Sequence, residues 1–145
     1  MIYTKMTKLA LKICFEAHRD QLDKSGLPYV FHPFHLAEQM TDEETCAVAL
    51  LHDVVEDTDI TLGDLEKLGF GEKILEAISL MTHGEGVDYM DYVAKIKTNP
   101  IARAVKLADL RHNSDMTRLD TVTDWDIKRA EKYKRAILLL TDGME

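Results

Sequence analysis

The sequence predicts an all-α protein, one domain spanning residues 1–145 and built of roughly seven or eight short helices. Three observations predict it. Apolar residues recur at helical spacing almost throughout. No segment sustains the period-two alternation of a half-buried strand. The 3 prolines and 7 glycines stand between the periodic stretches as punctuation. At 145 residues the chain is long enough for one core and too short for two ordinary ones.

Each element follows from local pattern. Leu9, Ile13 and Ala17 share one face of a first helix that fades near Asp20. Ser25-Gly26-Leu27-Pro28-Tyr29 reads as a loop, and Pro33 suits the first residue of a short second helix carrying Leu36 and Ala37. Thr41-Asp42-Glu43-Glu44 is a capping-box pattern ahead of the apolar stretch from Cys46 to Val55. Thr61 to Asp64 opens a short helix stopped by Gly69, and Glu72 to Thr82 forms another with Ile74, Leu75, Ile78 and Met81 on one face. Tyr89 to Lys97 follows and is closed by Asn99-Pro100. One helix then runs from Ile101 to Met116, and a last one from Asp124 to Gly143, with Trp125 assigned to its core packing.

Composition narrows the function. With 18 basic and 26 acidic residues the net charge is −8, which excludes the basic footprint of a nucleic-acid-binding protein and disfavours an anionic membrane surface. Hydrophobic content of 46% with 30% charged residues is a folded composition. Cys14 and Cys46 lie in apolar stretches without CxxC spacing and are expected as reduced, buried thiols. Neither an export leader nor a long apolar run is visible, so the expected location is the cytoplasm.

The informative residues are polar groups where core helices should be apolar. Ala47 to Leu51 is uninterrupted core, and then His52-Asp53 arrives, followed by Glu56-Asp57. On a helix, Glu56 lies one turn from His52 and Asp53, and Asp57 one turn from Asp53. Clustered carboxylates repel each other and resist desolvation, so a cation is expected beside them. Asp109 interrupts the core-like run from Ile101 to Ala108 in the same way, with His112 and Asn113 a turn later, and His32 is held directly before Pro33. Any one of these alone is an ordinary helix end, cap or loop histidine; their joint occurrence points to a site. His32, His52, Asp53 and Asp109 offer two imidazoles and two carboxylates without a thiolate. That donor set suits an octahedral Mn²⁺, Fe²⁺, Ni²⁺ or Mg²⁺ site with water positions left open. His35 and His83 read as surface or packing residues, and His18 and His112 as partners of the ligands.

His32…His52-Asp53…Asp109 resembles the metal set of HD-domain phosphohydrolases. The longer strings Ala17-His18, Gln21, Lys24-Ser25-Gly26, Pro28-Tyr29, His32-Pro33, Leu51 to Thr58 and Lys106-Leu107-Ala108-Asp109…His112-Asn113 resemble the hydrolase domain of the RelA/SpoT family. They are similar, too, to its small stand-alone relatives, which remove pyrophosphate from the alarmone ppGpp. The resemblance runs in order from about Leu9 to Leu119 and implies a single all-α HD fold. It implies Mn²⁺ held by His32, His52, Asp53 and Asp109, catalytic acids at Glu56 and Asp57, and substrate contacts from Lys24, Ser25, Tyr29 and Asn113. It implies the reaction as well, removal of the 3′-pyrophosphate of a guanosine nucleotide with the aid of the metal.

The chain also departs from the family pattern. Asp23 stands where the family has an arginine against the guanine, Asp115 and Met116 where it has an arginine and a threonine, and Leu110-Arg111 reverses its arginine-leucine order. Carboxylates in place of guanidiniums are expected to weaken binding of a polyanionic nucleotide. The alternatives are therefore a hydrolase of another nucleotide or phosphorylated metabolite, or a nucleotide sensor without turnover. Lys24, Lys95, Lys97, Lys106 and Arg111 remain as candidate phosphate contacts.

Overall fold

The computed structural model describes residues 1–144. Eight α-helices make up most of them: α1 Lys5–His18, α2 Phe31–Glu38, α3 Glu43–Asp57, α4 Leu62–Lys67, α5 Glu72–Met81, α6 Tyr89–Lys97, α7 Pro100–Asn113 and α8 Asp124–Thr141. A 3-10 turn, Met116–Arg118, joins α7 to α8. Among the described residues there is no strand, only an isolated bridge between Leu22 and Pro28. The fold is all-α, as the periodicity predicts.

Helix α3 is the central element and packs against α1, α2, α5 and α7. Its residues Cys46 to Leu51 are fully buried, which is why that stretch carries no polar side chain until His52. Leu36 of α2, Ile78 of α5, Leu110 of α7 and Leu140 of α8 complete the same cluster. Side-chain caps fix where helices begin. Reciprocal capping boxes open α1 (Thr4 with Thr7), α4 (Thr61 with Asp64) and α8 (Thr123 with Asp126). Asn99 Oδ1 accepts from the Ile101 and Ala102 amides, and Pro100 starts α7 where its missing N–H costs nothing. Gly69, at φ +99°, turns the chain out of α4 through the left-handed region.

Five local expectations are corrected. The buried stripe of α1 is Thr7, Ala10, Cys14 and His18; Leu9, Ile13 and Ala17 flank it half-buried. Helix α2 starts two residues before Pro33, because amides of Phe31 and His32 already bond to Pro28 and Tyr29 carbonyls and Pro33 falls in the first turn, where it breaks no bond. The cap of α3 is Asp42, whose Oδ1 accepts from the Thr45 amide at 2.8 Å, not Thr41. Helix α7 ends at Asn113, since Asp115 caps a separate turn by accepting from the Thr117 amide. Trp125 is 56% exposed and is not core; the Lys24 ammonium lies over its ring, 3.4 Å from the centroid.

Both cysteines are free and buried, with burial and Asp53 pushing the Cys14 thiol up to about 12. No helix among the described residues is long and apolar enough to cross a membrane.

Candidate metal centre and the adjoining cavity

Three helices bring three candidate ligands together. His32 comes from the first turn of α2, His52 from the buried end of α3 and Asp109 from the inner face of α7, and all three are buried. One ligand atom from each lies within 4.8 Å of the others. His32 Nε2 is 2.8 Å from Asp109 Oδ1, and His52 Nε2 is 3.9 Å from that oxygen. Adjacent ligands of an octahedral ion at about 2.1 Å stand about 3 Å apart, so this spacing fits one small divalent cation.

His52 carries the clearest sign. Its Nδ1 donates to the Ala49 carbonyl at 2.8 Å, which leaves Nε2 with a bare lone pair in the neutral ring. That Nε2 is buried and has no hydrogen-bond partner. An orphaned buried polar atom costs about 1–3 kcal/mol, and a bound cation is the group that would satisfy it. The donor set, imidazole and carboxylate without thiolate, suits a divalent ion with open coordination positions rather than a closed structural zinc site.

Asp53 stands apart from the triad. Its Oδ2 lies 3.2 Å from His52 Nε2, and the same oxygen accepts the Tyr29 hydroxyl proton. Burial opposes charge on His52, but the Asp53 and Asp109 carboxylates outweigh it and raise the imidazole to about 9. Burial likewise disfavours the Asp109 carboxylate, and the Lys106 ammonium with His32 and His52 holds it well below the usual range. The pocket therefore demands positive charge, and a proton on His52 and a divalent ion compete to supply it.

The ligands are themselves held. Asp109 Oδ1, facing the triad, also accepts from Asn113 Nδ2 at 3.1 Å, while Oδ2 accepts from the buried Lys106 ammonium at 2.9 Å. His32 Nδ1 lies 2.7 Å from His112 Nδ1, the two rings nearly parallel. Burial, followed by His32, pushes His112 down to about 4, so this ring is neutral and can accept a proton-bearing Nδ1. His18 is fully buried but bonds Gln21 Oε1 and packs on Tyr29, supporting the tyrosine and not a ligand.

One turn beyond His52 on α3, Glu56 and Asp57 reach the surface. Burial and the Asp53 charge raise both above the ordinary carboxylate range, which makes each a better proton acceptor than a free side chain. A cavity of about 260 Å³ opens on His32 and is lined by Lys24, Ser25, Tyr29 and Asn113, the expected substrate contacts. Of the other candidate phosphate contacts, Lys106 is spent on Asp109, Lys97 pairs with Asp142 at 3.7 Å, and neither Lys95 nor Arg111 lines the cavity. Two guanidiniums not anticipated from the sequence, Arg118 and Arg129, do line it. The acids expected to repel a nucleotide are engaged locally: Asp23 pairs with Arg118 at 3.3 Å, and Asp115 caps the 3-10 turn.

A helical bundle that gathers histidine and aspartate side chains from three helices, with Asp53 next to His52, is the arrangement of metal-dependent HD-domain proteins. The HD domain family profile matches residues 10–118. The bifunctional (p)ppGpp synthase/hydrolase SpoT of Escherichia coli K12 is 35% identical over 131 residues, covering 75% of this chain. The chain spans only 18% of that relative's length. The mouse guanosine-3′,5′-bis(diphosphate) 3′-pyrophosphohydrolase MESH1 is 34% identical over 142 residues, covering 88% of this chain and 78% of its own. Among solved structures, a metazoan ortholog of SpoT described as hydrolysing ppGpp superposes with a TM-score of 0.73 at 28% identity, over 98% of this chain and 86% of that one. The chain belongs to the HD-domain phosphohydrolase family, on the branch of the RelA/SpoT hydrolase domains and their stand-alone MESH1 relatives.

Proposed function

We propose that the chain is a single HD domain that removes the 3′-pyrophosphate from guanosine 3′,5′-bis(diphosphate), with a divalent cation, Mn²⁺ by preference, held by His32, His52, Asp109 and Asp53. The observation that carries this reading is the orphaned His52 Nε2 within a buried triad that opens on a cavity. The activities named for MESH1 and for the SpoT ortholog support the same substrate. A net charge of −8 supports a small nucleotide as partner over nucleic acid, and the free cysteines fit a cytoplasmic setting.

A cation in the triad supplies a Lewis acid that polarises phosphoryl oxygens and makes a water more acidic. The chain's own residues do the rest. Glu56 takes the proton of the attacking water, with Asp57 beside it. The water oxygen bonds to the phosphorus carried on the ribose 3′ oxygen, the P–O3′ bond breaks, the 3′ oxygen takes up a proton to become the free hydroxyl of GDP, and pyrophosphate leaves. Tyr29 holds Asp53, Asn113 and Lys106 hold Asp109, and His112 holds His32, so the ligand set is fixed before substrate arrives. Lys24 and Ser25 receive the nucleotide from the cavity wall.

The test is product analysis after incubating the Mn²⁺-loaded protein with ppGpp beside a panel of other nucleotides. GDP and pyrophosphate are expected, and Asp109→Ala abolishes both metal retention and turnover. Turnover of another panel member with ppGpp untouched would overturn the substrate assignment and keep the centre. Binding without product after long incubation would overturn the enzyme reading.

A further inference from the structure

The cations that line the cavity are of two chemical kinds. Lys24 and Arg129 have no carboxylate within ion-pair distance among the described residues. They are full positive charges, stacked on Trp125 and shared with a neighbouring groove along α8. Arg118 is different. Its Nη1 donates to Asp23 Oδ2 and its Nη2 to the His112 carbonyl, each at 3.3 Å. The carboxylate cancels its charge without exhausting its donors. A guanidinium has five N–H groups, and these two bonds use one each, leaving three. One of them, on Nε, is buried with no partner.

The pair is also rigidly anchored. Asp23 Oδ1 accepts from the Ser25 and Leu27 amides at 2.8 and 3.0 Å, so the carboxylate is tied into the α1–α2 loop. Arg118 belongs to the 3-10 turn on the far side of the chain, 95 residues away, and the ion pair draws the two segments together at the cavity. A charge-neutralised, fixed guanidinium with unspent N–H donors is poorly suited to phosphate and well suited to an uncharged acceptor. A nucleotide carries both kinds of group. Its phosphates match Lys24 and Arg129, and its base must face something else.

We propose that Arg118, positioned by Asp23, is the base-selecting residue of this cavity and takes the acceptor edge of a guanine-type purine. Guanine presents O6 and N7 side by side as acceptors, whereas adenine places an amino donor where O6 would be, against an N–H that needs an acceptor. The inference rests on the cavity being a nucleotide site, as in the hydrolase reading, but not on turnover.

Equilibrium binding of GDP and ADP, measured by calorimetry, tests it, since neither carries a 3′-pyrophosphate to be hydrolysed. The native protein is expected to bind GDP roughly tenfold more tightly than ADP, the size of one well-made uncharged hydrogen bond. Arg118→Ala is expected to lose that factor on GDP alone, making the two affinities equal. The double variant Arg118→Ala/Asp23→Asn removes the carboxylate that the single variant unmasks, and equality should persist. Should Arg118→Ala fail to fold, Arg118→Lys keeps the charge but not the planar donors and is expected to lose the preference too. A native protein without preference, a single variant that keeps it, or a double variant that recovers it would each overturn the proposal. Discrimination in binding without any turnover of ppGpp would instead sink the hydrolase reading and leave this one standing.

Discussion

His112 is not a ligand, yet its removal should weaken the metal centre measurably. For His32 to coordinate through Nε2, its ring proton must reside on Nδ1, and the acceptor waiting there is His112 Nδ1 at 2.7 Å. His112 can fill that role because burial and His32 push it down to about 4, leaving a neutral ring with a lone pair at pH 7. His112→Ala removes the acceptor, so the N–H of the buried His32 loses its bond and the ring loses the contact that fixes its plane. The lost bond alone is worth about 0.5–1.5 kcal/mol. With the freed ring included, partners of this kind cost 10–100-fold in metal affinity, about 1.4–2.7 kcal/mol. Titration of the apo-protein with Mn²⁺ by calorimetry reads the change directly. His112→Gln offers an amide oxygen to the same proton and should recover part of the affinity. An unchanged Kd in the alanine variant would show that the proton on His32 is held elsewhere and would refute the reasoning.

Four further outcomes are expected. Glu56→Gln should lower kcat about 10²–10⁴-fold in steady-state assays with Mn²⁺ affinity nearly intact, because in the proposed mechanism the residue handles a proton and not the metal. Adding Mn²⁺ at a hundredfold excess over its Kd should stabilise the native protein by about 2.7 kcal/mol, seen as a rise of about 5–10 °C in Tm that Asp109→Ala abolishes. Leu50→Ala, at a fully buried position in α3, should cost about 2–5 kcal/mol in urea unfolding, since the surrounding helices cannot close the void. Thr123→Ala breaks the capping box of α8 and should cost about 1 kcal/mol by the same measurement.

The helices were legible because their signals are local. Thr61 and Asp64 announce α4, Asn99-Pro100 announces α7, and the apolar run of α3 announces a buried helix. The candidate ligands were legible for the opposite reason: His52 and Asp109 are polar at positions where the pattern demands apolar, a conflict that persists only where something compensates it. Errors clustered where polar residues serve packing. The inner face of α1 carries Thr7 and His18 beside Ala10 and Cys14, and a hydrophobicity pattern leaves the first two out of a buried stripe. Trp125 failed in the reverse direction, an aromatic residue on the surface because Lys24 and Arg129 cover its ring.

The cavity wall was the least legible part, and for a physical reason. Asp23 in isolation is an anion where a cation was expected, and sequence gives it a repulsive sign. Its partner Arg118 lies 95 residues away beyond a helix end at Asn113 that periodicity placed three residues too late. While the segment from Ile101 to Met116 is read as one continuous helix, nothing directs Arg118 toward the α1–α2 loop. Once Asp115 caps a separate 3-10 turn, the chain reverses and Arg118 meets Asp23. The two acids that seemed to spoil a nucleotide pocket thus have structural duties: one shapes the turn that delivers an arginine, and the other receives it. Charge at a site is set by the pair that forms there, and a pair spanning the chain is invisible to any window along it.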